Sequence, residues 1–312
     1  MADGIRLPLV LKALGGMSVE AIARALLSKP ETIKKRLTRS KKHLSSVKYE
    51  IPDDSELKSA IHRVHQCLYL MFNEGISTHY RDHENRRDIC LSALRFLRLM
   101  LSENSNELSA LRHTNNSVYS DSDTYALLAL MHFHLARLDS RFDSSGQAIE
   151  LNLQNRKLWD SNEIKIGAYA MASAMRLANG KPSVYLLEAL IAFEHCRAKC
   201  FSKTDWPIIE QHYAALCSLS HSPLMQIAYA ISLAHNRKFD KAVNILQGLS
   251  NGCGGELSQR VLASFAYVNA LSGQVETAYS QAKQAKKQGL TDKEYACLIR
   301  QIEVSINVQS PV

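Results

Sequence analysis

Between Pro30 and Ser46 the chain carries Lys34, Lys35, Arg36, Arg39, Lys41 and Lys42, six cations within nine residues. That density attracts polyanions, and each phosphate it neutralises releases condensed counterions. Helical spacing sorts the segment into two faces. With Ile33 as the inward reference, Leu37, Ser40 and Leu44 follow at i+4, i+7 and i+11. The opposite face collects Glu31, Lys35, Thr38, Arg39 and Lys42, flanked by Lys34 and Lys41. Lys35 suits a guanine edge, and Thr32 or Thr38 suit donor or methyl contacts. Arg39, Lys41 and Lys42 lie further along, where phosphate contacts position a protein without specifying sequence. Arg36 stands at the edge of the buried face and keeps two readings, an intramolecular ion pair or a phosphate contact. The candidate nucleic-acid contacts are therefore Glu31, Thr32, Lys34, Lys35, Arg36, Thr38, Arg39, Lys41 and Lys42.

A stripe of this kind needs a support. Residues 5–16 read as a helix with Leu7, Val10, Leu11 and Leu14 on one face, stopped by Gly15-Gly16. Ser18 takes an N-cap position before a second helix, Val19–Leu27, whose apolar positions are Val19, Ile22, Ala23, Leu26 and Leu27. Ser28-Lys29-Pro30-Glu31 has the form of a capping box, with proline in the first turn where its missing N–H costs nothing. Two helices joined by so short a turn make a helix-turn-helix.

The charge is local. Residues 1–50 hold eleven Lys and Arg against four Asp and Glu, a net of +7, while the whole chain is +8. The remaining 262 residues are thus nearly neutral, and the basic excess belongs to the helix-turn-helix. A solvated basic face with no ligand is the alternative that charge alone leaves open.

After a linker at Pro52 and Asp53–Ser55 the pattern is helix upon helix. Helices are expected through Ala60–Phe72 (ending at Gly75), Arg87–Leu101, Tyr125–Leu138, from Asp160 to Asn179-Gly180, at Val184–Ala198 and at Trp206–Leu219. Ser102–Asp123 and Asp139–Lys157 read as irregular, and Asp160 with Glu163 as an N-cap pair. Near the C-terminus, Arg237–Ala242 and Gly273–Ala278 occupy equivalent turns, and Ala242 to Ala278 is a spacing of 36. Tetratricopeptide hairpins repeat at about 34. Alanine at the start of the second helix lets it pack closely on the first. With Gly at 13, Pro at 7 and an apolar fraction of 46%, the composition favours an all-α protein: a helix-turn-helix over 1–50, then an array of tetratricopeptide-like helical hairpins over 51–312.

Other constellations carry less. His195, Cys196 and Cys200, with His212, Cys217 and His221 further on, permit i,i+4 metal ligands but lack turn-borne pairs, so buried thiols are the better reading. His62/His65 and His132/His134 have no partner acid nearby in sequence and read as surface or capped-core groups. Phe72–Gly75 and Trp159 suit a ligand groove less well than a helix stop and a packing anchor. Glycine-rich phosphate loops, nucleophile elbows and zinc-protease motifs are missing, so neither an enzyme nor a cofactor is expected. The absence of an 18-residue apolar run argues against a membrane, and seven scattered cysteines fit reduced thiols in a cytoplasm.

The segment Leu11–Ala25, with Thr32–Lys41 after it, resembles the region-four helix-turn-helix of sigma-70 family sigma factors. Within that family it is most similar to the extracytoplasmic-function type with a long helical C-terminal extension. The resemblance continues through Leu68–Gly75, Asp88-Ile89-Cys90, Gln154, Arg156, Leu158-Trp159-Asp160, Thr204-Asp205-Trp206 and Ser222-Pro223. It departs from the family at Asn152, Leu153 and Asn155, positions that tend to be acidic there. The resemblance implies recognition of promoter −35 DNA by the basic helix, contact with core RNA polymerase, and an extension that modulates activity. It also implies a preceding region two that these residues do not include, so the chain's own missing N-terminal sigma region is a further expected partner. A helical-repeat interaction scaffold that does not bind DNA is the competing expectation.

Overall fold

The computed structural model describes residues 3–13, 15–26, 28–44, 54–76, 83–102, 121–144, 146–251 and 255–309. Among these the chain forms fourteen α-helices, three short 3-10 turns and one isolated antiparallel bridge between Phe142 and Ala148. The protein is all-α. Its contacts fall into two compact units, Met1–Leu138 with Asp160–Lys181, and Asp139–Trp159 with Pro182–Val312. The first fifty residues, expected as a domain of their own, share the first unit with the four helices that follow.

In the first unit, α1 (Asp3–Ala13), α2 (Val19–Ala25) and α3 (Pro30–Leu44) precede α4 (Asp54–Gly75), α5 (His83–Ser102), α6 (Ser122–Leu135) and α7 (Ser161–Ala178). Ten of the fourteen residues of α6 are buried, so it is the central helix, apolar on every side. α6 and α7 run antiparallel. The Asp160 N–H donates to the Ala136 carbonyl at one end (2.9 Å), and the Ser122 hydroxyl donates to the Ala174 carbonyl at the other (3.0 Å). Gly167 permits this approach: a Cβ there would lie 2.7 Å from the Phe133 ring. His65 of α4 reaches the Thr124 hydroxyl at 2.8 Å, and Thr124 in turn donates to Asp121, the N-cap of α6.

Several local expectations need correction. α4 begins at Asp54, so Asp54 and Ser55 belong to a helix and not to a linker, while Pro52 and Asp53 lie outside the described residues. The Ser28–Glu31 capping box does not form. The Lys29 carbonyl accepts from the N–H of Ile33, which starts α3 at Pro30, and Glu31 turns forward to Lys34 instead. Asp160 does cap α7, accepting from Asn162 and Glu163, but the Glu163 carboxylate leaves the cap for His132. Leu14, Leu27 and most of Ser102–Asp123 lie outside the described residues.

The second unit holds α8 (Val184–Arg197), α9 (Trp206–Leu219), α10 (Pro223–His235), α11 (Phe239–Ser250), α12 (Glu256–Leu271), α13 (Val275–Lys287) and α14 (Asp292–Gln309). Each helix packs on its successor, and α12 also packs on both α10 and α14. That is the contact pattern of consecutive helical hairpins. Ala242 and Ala278 are both fully buried, as the 36-residue spacing requires. The two turns before them share one hydrogen-bond geometry. Lys238 N–H bonds back to Leu233 and Arg237 N–H to Ala234; Gln274 N–H bonds back to Asn269 and Gly273 N–H to Ala270. These are Schellman closures, whose left-handed residue is Arg237 (φ +58°) in one turn and Gly273 (φ +84°) in the other.

Candidate nucleic-acid interface

α2 is only seven residues long, too short to hold itself, so its caps and neighbours fix it. The Ser18 hydroxyl accepts from the Ala21 N–H at 3.0 Å, and Ala21, Ile22 and Ala23 are buried. The turn closes with the Ser28 N–H donating to the Ala23 carbonyl at 2.8 Å. α3 then packs on α1 and α2 through Ile33 and Ser40, both fully buried, and Leu37. The Ser40 hydroxyl is satisfied inside the helix by the Arg36 carbonyl (2.9 Å), which explains how a polar residue occupies the apolar stripe.

The other side of α3 faces solvent. Glu31, Lys34, Lys35, Thr38, Arg39, Lys41 and Lys42 are exposed, and Thr32 and Arg36 are half-buried. All nine sequence-selected residues thus lie on one helix, seven of them fully outward. Local engagements hold several of them. Lys34 pairs with Glu31 at 2.9 Å, an exposed contact that holds the Lys34 ammonium above its ordinary range. The Thr38 hydroxyl donates to the Lys34 carbonyl at 3.0 Å, leaving its methyl and its acceptor lone pairs outward. Glu20 on α2 is held below the usual carboxylate range, first by its own backbone N–H, then by the Ser18 hydroxyl and the field of Lys34.

The mounting of this element on α4 was not legible in sequence. The Arg24 guanidinium of α2 pairs with the Glu74 carboxylate, fifty residues away, and Glu74 is only 5% exposed. Gly15 adds a close approach, since a Cβ there would lie 2.9 Å from the Met71 sulfur of α4. Gly75 ends α4 against α5, where a Cβ would sit 2.7 Å from Cys90 Sγ, so close packing accompanies the expected helix stop. An apolar groove of about 250 Å³ opens nearby, lined by Val10, Val64, Cys67, Met71, Phe96 and Leu99 among others.

The remaining polar constellations resolve into packing. His132 is fully buried, and its partner acid is distant in sequence: its Nδ1 meets the Glu163 carboxylate, thirty-one residues on, across the α6–α7 hairpin. Arg156 caps the end of α8 through the carbonyls of His195 and Ala198, and its guanidinium stacks 4.5 Å above the Trp159 ring. Trp206 stacks on His235 at 3.8 Å, with Phe201 edge-on to both and the Tyr267 hydroxyl 3.2 Å from His235 Nε2. Burial brings His235 down to about 4. Among the described residues no set of three or more His, Cys, Asp and Glu is placed to hold a metal ion. None of their helices is long and apolar enough to cross a membrane.

Residues 60–175 match a family described as a family of unknown function, DUF6596. Over 252 residues the chain is 30% identical to an uncharacterized protein of Rhizobium meliloti (strain 1021), R00370; the match covers 80% of this chain and 56% of that protein. The chain therefore spans little more than half the length of the curated relative it matches. No solved structure matches. The matched family segment runs from the second turn of α4 into the last turn of α7 and leaves out the helix-turn-helix.

Proposed function

We propose that the chain binds DNA through α3, as a sigma-factor-like transcription regulator whose helical extension makes the protein contacts that modulate it. One observation carries the reading: α3 spends Ile33, Leu37 and Ser40 on its support and presents Glu31, Lys34, Lys35, Thr38, Arg39, Lys41 and Lys42 to solvent. A helix mounted this way enters a major groove with its first turns at base edges and its later cations at phosphates. Promoter −35 DNA, core RNA polymerase and the sigma region expected ahead of this segment are the partners, acting in the cytoplasm. The reading assigns the chain no catalytic step. The test is binding of fluorescent duplex DNA at low salt by the wild type and by Lys35→Glu/Arg39→Glu. The double variant is expected to lose more than a hundredfold in affinity while keeping its helical circular dichroism. Equal binding by the two proteins would overturn the reading.

A further inference from the structure

We infer that the Arg24–Glu74 pair is a positioning latch, through which the helical body sets the attitude of α3 toward DNA; this rests on the DNA-binding reading. The argument starts from the placement of Glu74. It is the penultimate residue of α4, where unsatisfied carbonyls make the negative end of the helix dipole, and it is almost completely buried. A carboxylate is unfavourable there on both counts, so stability alone does not select it. What an ion pair supplies that an apolar contact does not is direction. Arg24 answers Glu74 from the last turn of α2, and with it α2 takes one register against α4.

The two ends of the latch sit on elements that transmit position. On one side α4 is locked to α5 where Gly75 lies against Cys90 and the Arg86 carbonyl. On the other, α2 is a short helix packed directly on α3, so a rotation of α2 carries the recognition face with it. Arg24 is itself 38% exposed, which leaves a second role open to test: a phosphate contact of its own.

The experiment uses the full chain, a duplex enriched from a randomised library by the wild type, and a scrambled duplex. Arg24→Met/Glu74→Leu replaces the pair by apolar neighbours and is expected to melt within a few degrees of wild type. It should lose tenfold or more in affinity for the enriched duplex while staying within twofold on the scrambled one. Arg24→Glu/Glu74→Arg restores the pair in reverse and is expected to recover most of the loss. Hydrogen exchange gives a readout independent of DNA, with faster exchange in residues 19–44 of the apolar variant and no change in α5 to α7. Wild-type affinity for the enriched duplex in the apolar variant overturns the latch, as does an equal loss on both duplexes, which would make Arg24 a phosphate contact. Should an apolar variant fail to fold, Glu74→Gln takes its place under the same criteria. If the wild type enriches no duplex, the DNA reading falls and the latch with it, an outcome distinct from enrichment without latch dependence.

Discussion

Replacing Arg237 by glycine should stabilise the protein although it deletes a long side chain. Arg237 closes the α10–α11 turn at φ +58°, and the equivalent position one repeat later is Gly273 at φ +84°. A residue with a Cβ pays about 1–2 kcal/mol in the left-handed region. Glycine gives back about 0.5–1 kcal/mol through its freer unfolded chain, so the net gain for Arg237→Gly is about 0.5–1 kcal/mol. Arg237 is exposed and its N–H bond to Ala234 is made by backbone, so little else is lost. Both tryptophans, Trp159 and Trp206, lie in the second unit, and their fluorescence during urea unfolding reports on it. At a slope of about 2 kcal/mol/M the midpoint should rise by about 0.3 M, and Gly273→Arg should lower it by a similar amount. A fall in midpoint for Arg237→Gly, or no change for Gly273→Arg, would refute the equivalence of the two turns.

Three further outcomes are expected. Ile33→Ala empties the fully buried contact under α3 and should cost about 2–5 kcal/mol, read by hydrogen exchange in residues 19–44, whereas Lys35→Ala should leave that exchange unchanged. Iodoacetamide at pH 8, followed by mass spectrometry, should label Cys200 first among the six cysteines of the described residues: it is exposed, and the Ser202 hydroxyl draws its thiol below the ordinary range. Burial holds Cys67 up at about 11 and Cys297 up at about 12, so preferential labelling of either would contradict the packing. His235 is down to about 4 when folded and near 6.5 when unfolded, so below pH 6.5 the unfolded chain takes the proton first. Its contribution is present above pH 6.5 and fades as pH falls toward 4, by at most about 3 kcal/mol; tryptophan-detected urea midpoints should show that decline flattened in His235→Phe.

What was legible in the sequence was whatever depends on near neighbours. The spacing of Ile33, Leu37 and Ser40 fixed which side of α3 is buried, and the Ser18, Asp160 and Asn179-Gly180 signals placed helix ends because capping is a local bond. The 36-residue echo of Ala242 in Ala278 gave the hairpin turns for the same reason: each repeat meets the same steric demand. The capping box at Ser28 misled because Glu31 has a stronger local offer from Lys34 one turn on. Arg24 with Glu74 and His132 with Glu163 were hidden, since nothing in the residues between them encodes which helices meet. The same distance in sequence hid the sharing of one compact unit by the helix-turn-helix and α4 to α7.

Salt dependence is the most direct test of whether α3 works as a DNA-binding surface. With about four or five phosphates neutralised by its exposed cations, the logarithm of affinity should fall with the logarithm of salt at a slope near −4, and Lys35→Glu/Arg39→Glu should flatten that line. Binding that ignores salt between 50 and 200 mM, or a variant whose line lies on the wild type's, would contradict the account.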